Sequence, residues 1–319
     1  MKILITGANG FVGDALAKYL ISKKHDVIAC VRKGTHKNLA CEYKFIEALD
    51  ENTDWSDTLQ GIDVIVHCAA RVHVMNDKSS NPIEEFRKVN TVATLNLAEQ
   101  ALEAGVKRFI FLSSIKVNGE YTLPSKPFTE AVGKPPIDPY GLSKYEAEQS
   151  LLQLAKDTSL EVVIIRPTLV YGPNVKGNFQ SLMKWTYRGV PLPLGAIKDN
   201  SRSLVSVDNL ADLILTCINN DKAKNEVFLV SDDNDLSTAH LLQNIADGLG
   251  VKNRALSISP LLLKSAAFLI RKSDVAQRLC GSLQVDIHKA KSLLNWQPKY
   301  SMKDSMEKTA QSYINDLDS

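Results

Sequence analysis

Lys2-Ile3-Leu4-Ile5-Thr6-Gly7-Ala8-Asn9-Gly10-Phe11-Val12-Gly13 opens the chain with a short apolar run that breaks into a glycine turn and then into helical periodicity over residues 13–23. The Gly-x-x-Gly-x-x-Gly spacing gives each glycine a separate role. Gly7 allows a tight turn, Gly10 lets backbone approach a pyrophosphate closely, and Gly13 lets the helix lie close on the strand, its amino terminus facing the anion. Placed between a strand and a helix, the glycines predict a dinucleotide site to which Asn9, Phe11 and Val12 also belong.

Working outward, residues 27–31, 64–67, 109–113 and 162–166 repeat the short β-branched or aromatic run, and helical stretches such as 84–104 separate them. Continuous apolar strands alternating with helices predict an α/β fold: a doubly wound parallel sheet of Rossmann type, with ligands outside the carboxyl ends of its strands. After residue 170 the pattern loosens into a Gly/Pro-containing loop at 171–177, a helix at 179–188 and a turn-rich stretch at 191–195. Strand-like runs at 204–207 and 227–230 predict a return to the sheet before a helical ending from residue 237. The expected division is a dinucleotide-binding domain of 1–170, rejoined by about 203–230, and a smaller, discontinuous, mostly helical substrate-binding lobe of 171–202 and 231–319.

The second strand reads Ile28-Ala29-Cys30-Val31-Arg32-Lys33, without the acid that usually takes the ribose hydroxyls of NAD. A guanidinium at Arg32, helped by Lys33, offers a planar fork of donors matched to a 2′-phosphate. NADP(H) is therefore the favoured cofactor, with NAD(H) as the alternative.

Tyr140 and Lys144, in Asp138-Pro139-Tyr140-Gly141-Leu142-Ser143-Lys144, stand four apart and so share one helix face. An ammonium beside a phenol favours the phenolate, so Tyr140 is expected below its ordinary value of about 10, able to exchange a proton near neutral pH. Ser114 follows the strand at 109–113 and is expected at the same sheet edge, where its hydroxyl can bond a substrate carbonyl while Tyr140 supplies the proton.

Of 319 residues, 38 are Lys or Arg and 36 Asp or Glu, a balance that argues against nucleic acid or an anionic membrane as the partner of the whole chain. The five cysteines show no Cys-x-x-Cys spacing and the histidines no ligand cluster, so neither a disulfide framework nor a metal is predicted. The opening strand has no signal-peptide pattern before it, and a cytoplasmic location is expected. His67 is read as the end of a buried strand. The apolar segment 260–270 carries Lys264 and is too short to span a bilayer; it is read as a soluble helix covering a core or pocket, with no membrane insertion.

With these residues in view, the chain resembles the extended short-chain dehydrogenase/reductase family, in its branch of nucleotide-sugar epimerases, dehydratases and 4-keto reductases. The resemblance spans nearly the whole length and rests on the Gly7 to Gly13 turn, Gly61-Ile62-Asp63, His67-Cys68-Ala69-Ala70, Val89-Asn90, Phe111-Leu112-Ser113-Ser114, the Tyr140/Lys144 pair and Arg166-Pro167-Thr168-Leu169-Val170-Tyr171-Gly172-Pro173. It implies a catalytic triad of Ser114, Tyr140 and Lys144, with Pro167 near the nicotinamide, Lys144 on its ribose, Ala69 and Ala70 beside the pyrophosphate, and Asn90 among the cofactor contacts. Asn178 and Arg202 look like contacts to a nucleotide diphosphate sugar, Leu194 with Pro193 flanks the base, and Arg278 is a weaker phosphate candidate. Two positions depart from the pattern: Asn118 stands where Tyr is usual, and Leu49-Asp50 where Asp-Ile or Asp-Leu is frequent near adenine. The family also implies a homodimer packed through helices at 84–104 and 140–156.

Two reactions fit this arrangement. Arg32 favours NADPH-dependent reduction, and the run Ser114-Ile115-Lys116-Val117-Asn118-Gly119 resembles that of 4-keto reductases making 6-deoxy-N-acetylamino sugars for surface polysaccharide, which implies a nucleotide-activated, UDP-linked 4-keto-6-deoxy sugar as substrate. The alternative is an NAD-dependent UDP-hexose 4-epimerase. A dehydratase would need an Asp-Glu pair where Ile115-Lys116 stand. A non-enzymatic NADPH sensor or scaffold of the same fold is the reading from a different class.

Overall fold

The computed structural model describes residues 1–35, 38–72, 81–123, 125–269 and 273–318. Its strands are β1 (Lys2–Thr6), β2 (Asp26–Arg32), β3 (Glu42–Ile46), β4 (Val64–His67), β5 (Arg108–Leu112), β6 (Glu161–Pro167), β7 (Leu169–Tyr171), β8 (Leu204–Ser206) and β9 (Glu226–Val230). The helices of the first half are α1 (Phe11–Ser22), α2 (Pro82–Arg87), α3 (Ala93–Glu103) and α4 (Pro139–Asp157). Those of the second are α5 (Gly177–Tyr187), α6 (Val207–Asn219), α7 (Thr238–Gly248), α8 (Pro260–Leu269), α9 (Ser273–Cys280), α10 (His288–Leu294) and α11 (Met302–Asp318).

Seven strands form one parallel sheet in the order β3-β2-β1-β4-β5-β6-β9. Successive side chains alternate between its faces. Ile3, Ile5, Val64, Val66, Val163 and Ile165 face α1 and α6, while Leu4, Ile65, Phe109, Phe111, Val162 and Ile164 face α3 and α4. Both faces are thus covered, which is why the strands read as unbroken apolar runs. The strand order reverses direction beside β1, where Thr6 is in register with His67 of β4, and this opens a crevice beyond their carboxyl ends.

Three sequence expectations need correction. The run 204–207 does not rejoin the main sheet: β8 pairs with β7 in a separate parallel ribbon, and Val207 already starts α6 behind a Ser206 cap. The stretch 84–104 is not one regular helix, because a π-helical turn, Lys88–Val92, separates α2 from α3. The segment 260–270 forms α8 over its described part, but it covers a small core only through the half-buried Leu263, its other large apolar side chains being exposed; residue 270 lies outside the described residues. The edge strand β3, Glu-Tyr-Lys-Phe-Ile, escapes a search for apolar runs because its half-exposed alternation carries two charges.

A second apolar core lies beyond the sheet, where Tyr171, Phe179, Met183, Leu204, Leu241, Ile245, Met302 and Met306 join α5, α7 and α11. Ile287, Ala290, Leu294 and Trp296, around α10, pack instead into the core shared with α1 and α6. Among the described residues no helix is long and apolar enough to cross a membrane.

Candidate active site

Local sterics explain the glycine turn. Gly7 has φ +67°, and a Cβ there would lie 2.8 Å from the Ala69 nitrogen, so the turn after β1 touches the turn after β4. A Cβ on Gly13 would lie 2.3 Å from the Gly7 carbonyl oxygen, so α1 can sit on the turn only without a side chain. Gly10 is exposed, and no side chain caps the first amides of α1, which leaves the helix amino terminus open to an anion. This cradle fits the pyrophosphate of a dinucleotide. Asn9 Nδ2 donates to Thr35 at 2.8 Å, bringing the loop after β2 to the turn. The Phe11 side chain turns away into the second core, and that of Val12 lines the sheet-side core.

Arg32 is exposed at the end of β2, and beside it the exposed Lys33 ammonium pairs with the exposed Glu47 carboxylate. The neighbourhood is therefore less cationic than its sequence.

Across the crevice, α4 starts at an Asp138 cap whose Oδ2 accepts from Gly141 N at 2.8 Å. The same carboxylate pairs with Lys116 Nζ at 3.3 Å, tying the helix start to the turn carrying Ser114. Gly141 makes that approach possible, since a Cβ there would come within 2.8 Å of the Lys116 carbonyl oxygen. This brings Ser114, whose hydroxyl accepts from Lys116 N at 3.3 Å, close enough to the half-buried Tyr140 to lower the pKa of its phenol, whose ring meets Phe86 edge to face. Lys144 is buried one turn further on, with Nζ donating to Leu112 O at 2.9 Å and lying 4.3 Å from the centre of the Phe111 ring.

The expected effect of Lys144 on Tyr140 is corrected by this geometry. Burial pushes the phenol up to about 12, with a smaller rise from Asp138 and a lowering from Ser114. Burial likewise brings Lys144 down to about 8, against the opposing pull of Cys68 and Glu148. Desolvation outweighs helix-face pairing at both groups.

Ser113 is occupied elsewhere: it is buried, its amide donates to Ile165 O at 2.8 Å, and its hydroxyl donates to Glu148. That leaves Ser114 to face the crevice. Glu148 also takes a bidentate pair from Arg166, at 2.9 Å from Nε and 2.6 Å from Nη2, and both side chains are buried. Arg166 Nη1 reaches Asn118 Oδ1 at 3.1 Å, while Asn118 Nδ2 donates to Thr129 O at 2.8 Å and Ala131 O at 3.1 Å. The Asn118 departure therefore anchors the loop around residues 129–131 to the buried ion pair.

A second buried chain starts at the glycine turn. Thr6 Oγ1 lies 2.7 Å from His67 Nδ1, and His67 Nε2 lies 3.1 Å from Thr94 Oγ1. Thr94 donates its proton to Asn90 O at 2.8 Å, so it accepts from Nε2–H, while Thr6, which accepts from Ala69 N, is left to donate to Nδ1 of a neutral His67. Asn90 Nδ2 continues at 3.0 Å to Ser143 Oγ, which donates to Tyr140 O at 2.8 Å. Asn90 also exchanges bonds with the Arg71 backbone, 2.8 Å from Arg71 N and 3.0 Å to Arg71 O. Instead of the expected cofactor contact, Asn90 has a positioning role and holds the half-buried Ala69-Ala70 turn and the start of α4. Pro167 is buried at the end of β6 beside Val230.

Of the three expected substrate residues, Arg202 and Leu194 are held by contacts within the protein. Asn178 is exposed in the first turn of α5. Arg202 Nη1 donates to Arg278 O at 2.9 Å and Gly281 O at 3.0 Å, and Asn200 and Thr238 gather Leu279 O, so these residues hold the carboxyl end of α9. This places the Arg278 backbone against the Arg202 guanidinium. Leu194 does not flank a base through its side chain, which is buried with Ile197 and Leu242. The sequence reading missed the Glu148–Arg166 pair, although an acid four residues after Lys144 on the same helix face was there to be read.

The sheet order, the glycine cradle and the Ser114, Tyr140, Lys144 arrangement define an extended short-chain dehydrogenase/reductase. Within that class the chain belongs to the NAD dependent epimerase/dehydratase family, whose model matches residues 3–231. It is 48% identical over 314 residues to the UDP-glucose 4-epimerase of Vibrio cholerae, covering 98% of this chain and 95% of that relative. Among solved structures it resembles the UDP-glucose 4-epimerase of Thermotoga maritima with UDP-glucose, at 25% identity and TM-score 0.79 over 99% of this chain and 100% of that one. The UDP-glucuronic acid 4-epimerase of Bacillus cereus in complex with NAD, 23% identical with TM-score 0.78 over 99% of both chains, shares the fold.

Proposed function

We propose that this chain inverts C4 of a UDP-hexose as an NAD-dependent 4-epimerase. The observation that carries the reading is the convergence of Ser114, Tyr140 and Lys144, where the Lys116–Asp138 pair ties the turn after β5 to the start of α4 and Lys144 is fixed on Leu112 O. It is supported by the 48% identity to a UDP-glucose 4-epimerase along nearly the whole of both chains. The preference for a 4-keto reductase rested on Arg32 and Lys33, and the Lys33–Glu47 pair weakens it, because the carboxylate offsets the Lys33 charge. NAD is accordingly the proposed cofactor.

In this reading Tyr140 takes the proton of the C4 hydroxyl and later returns it, while Ser114 bonds the same oxygen and keeps it in line. Lys144, fixed by Leu112 O, holds a positive charge on the cofactor side of Tyr140 below pH of about 8. Residues 7 and 9–13, with Ala69, Ala70 and Pro167, would hold the cofactor, and Arg32 would lie near its adenosine end. NAD bound there supplies a hydride acceptor that is restored within each turnover. Asn178 and Arg202 would face the sugar-linked diphosphate, with Leu194 backing that wall from beneath. The same reading includes a homodimer in the cytoplasm, which a solution mass tests for its first part.

The deciding experiment supplies UDP-glucose to the purified protein and follows UDP-galactose by NMR, with nicotinamide absorbance recorded throughout. Expected are interconversion without net absorbance change, NAD released on denaturation, and a loss of about 10²–10⁴ in kcat for Tyr140→Phe. Stoichiometric NADPH consumption on a UDP-4-keto-6-deoxy-N-acetylhexosamine, without epimerisation of UDP-glucose, would establish the reductase instead.

A further inference from the structure

Helix α8 presents its apolar side outward. Leu261, Leu262, Phe268 and Leu269 are 75%, 64%, 73% and 81% exposed, although a folded chain ordinarily hides such residues when they cluster. At 3.6 residues per turn they fall, with Ser265, in one arc of roughly 120°. The half-buried Leu263 points the other way and packs against the small core of Leu194, Ile197 and Leu242. The apolar arc is therefore a surface, not the helix's seat on the protein.

Charge indicates what the surface meets. Lys264 lies on the edge of the arc, and Lys252 and Arg254 are exposed just before the helix. In sequence, no Asp or Glu occurs from residue 248 to 273. The whole chain is nearly balanced, with 38 basic and 36 acidic residues, so this run is a local excess. An apolar face with Lys264 at its edge, within a stretch of chain that carries bases and no acids, matches a lipid headgroup layer: leucines and phenylalanine enter the acyl boundary while the lysine stays at anionic headgroups. A protein partner would need no such one-signed stretch. At ten residues α8 is too short to span a bilayer and would lie along it.

We propose that α8 docks this protein peripherally on an anionic lipid bilayer. The helix is seated on the lobe through Leu263, beside the residues Arg202, Asn200 and Thr238 that hold the end of α9. The proposal is independent of which sugar or cofactor the enzyme uses.

The test is co-sedimentation of the full-length purified protein with vesicles of mixed phosphatidylglycerol and phosphatidylcholine, and with phosphatidylcholine alone. Expected is binding to the mixed vesicles only, weakened by added salt, roughly fivefold weaker for Lys264→Gln and about tenfold or more weaker for the Leu262→Ser/Phe268→Ser double variant. Because these side chains are exposed, both variants should keep the wild-type melting temperature and turnover of soluble substrate. Absence of binding to the mixed vesicles, or equal binding by wild type and double variant, would overturn the proposal. So would a solution mass of two chains that the double variant reduces to one, since a second copy would then cover the face.

Discussion

At Tyr140 and Lys144 burial sets the protons. With Lys144 brought down to about 8 by desolvation, the ammonium is present below that pH and lost above it. If its charge assists proton removal by Tyr140, kcat/KM should carry a descending limb near pH 8 that is absent from the residual activity of Lys144→Gln; a profile flat through pH 9 would reject this role. His67 gives a second pH effect, on stability. Burial lowers it to about 3 from an ordinary 6.5, so between these values the unfolded chain binds a proton that the folded chain refuses. Stability is therefore undiminished above pH 6.5 and falls as pH drops toward 3, by about 2 kcal/mol at pH 5. Denaturant titrations of wild type and His67→Gln at pH 7 and 5 check this, the variant losing the slope. All three residues were legible in sequence, as a helix-face pair and a strand end, but their pKa directions were not, because desolvation depends on what the fold packs around them.

At the scale of the element, the decisive contact joins the turn after β5 to the start of α4. Gly141 admits the Lys116 carbonyl, and Lys116 returns to the Asp138 cap at 3.3 Å, so Ser114 and Tyr140 are aligned by two short elements locked together. Gly141→Ala would push the turn away by up to several tenths of an ångström; the expected cost is about tenfold in kcat with NAD content unchanged. An unchanged kcat in a variant whose circular dichroism matches wild type would show that the alignment does not depend on this contact. The glycine cradle at 7–13 was readable from spacing because one short segment carries the whole geometry. Asn118 was not: its partners, Arg166 and the carbonyls of Thr129 and Ala131, come from separate parts of the chain, and the sequence showed only a missing Tyr. The same holds for β8, whose apolar letters suit either sheet and whose partner β7 is fixed by tertiary packing.

Across the whole molecule, α6 ties the returning carboxyl-terminal chain to the sheet. Asn209 accepts from Lys299 N and Tyr300 N, both at 2.9 Å, and one turn later Asp212 accepts from Trp296 Nε1 at 2.8 Å, Lys299 Nζ at 2.7 Å and Tyr19 OH at 2.8 Å. Asp212 and Trp296 are both buried, so this staple joins α1, α6 and the segment linking α10 to α11 without solvent to compensate a lost bond. The division into 1–170 with 203–230, and 171–202 with 231–319, remains our proposal for the domains, and the staple crosses it. Asp212→Ala leaves the Trp296 N–H and the Tyr19 hydroxyl without their acceptor, at a cost of about 3 kcal/mol, or roughly 4–5 °C in Tm for a chain of this size. Differential scanning calorimetry reads both consequences. A single transition in wild type that moves down and splits in Asp212→Ala would mean that the two units fold separately once the staple is removed. A transition that moves down without splitting would mean that the shared core around α10 suffices to couple them, and an unchanged Tm would remove the staple from the account of stability.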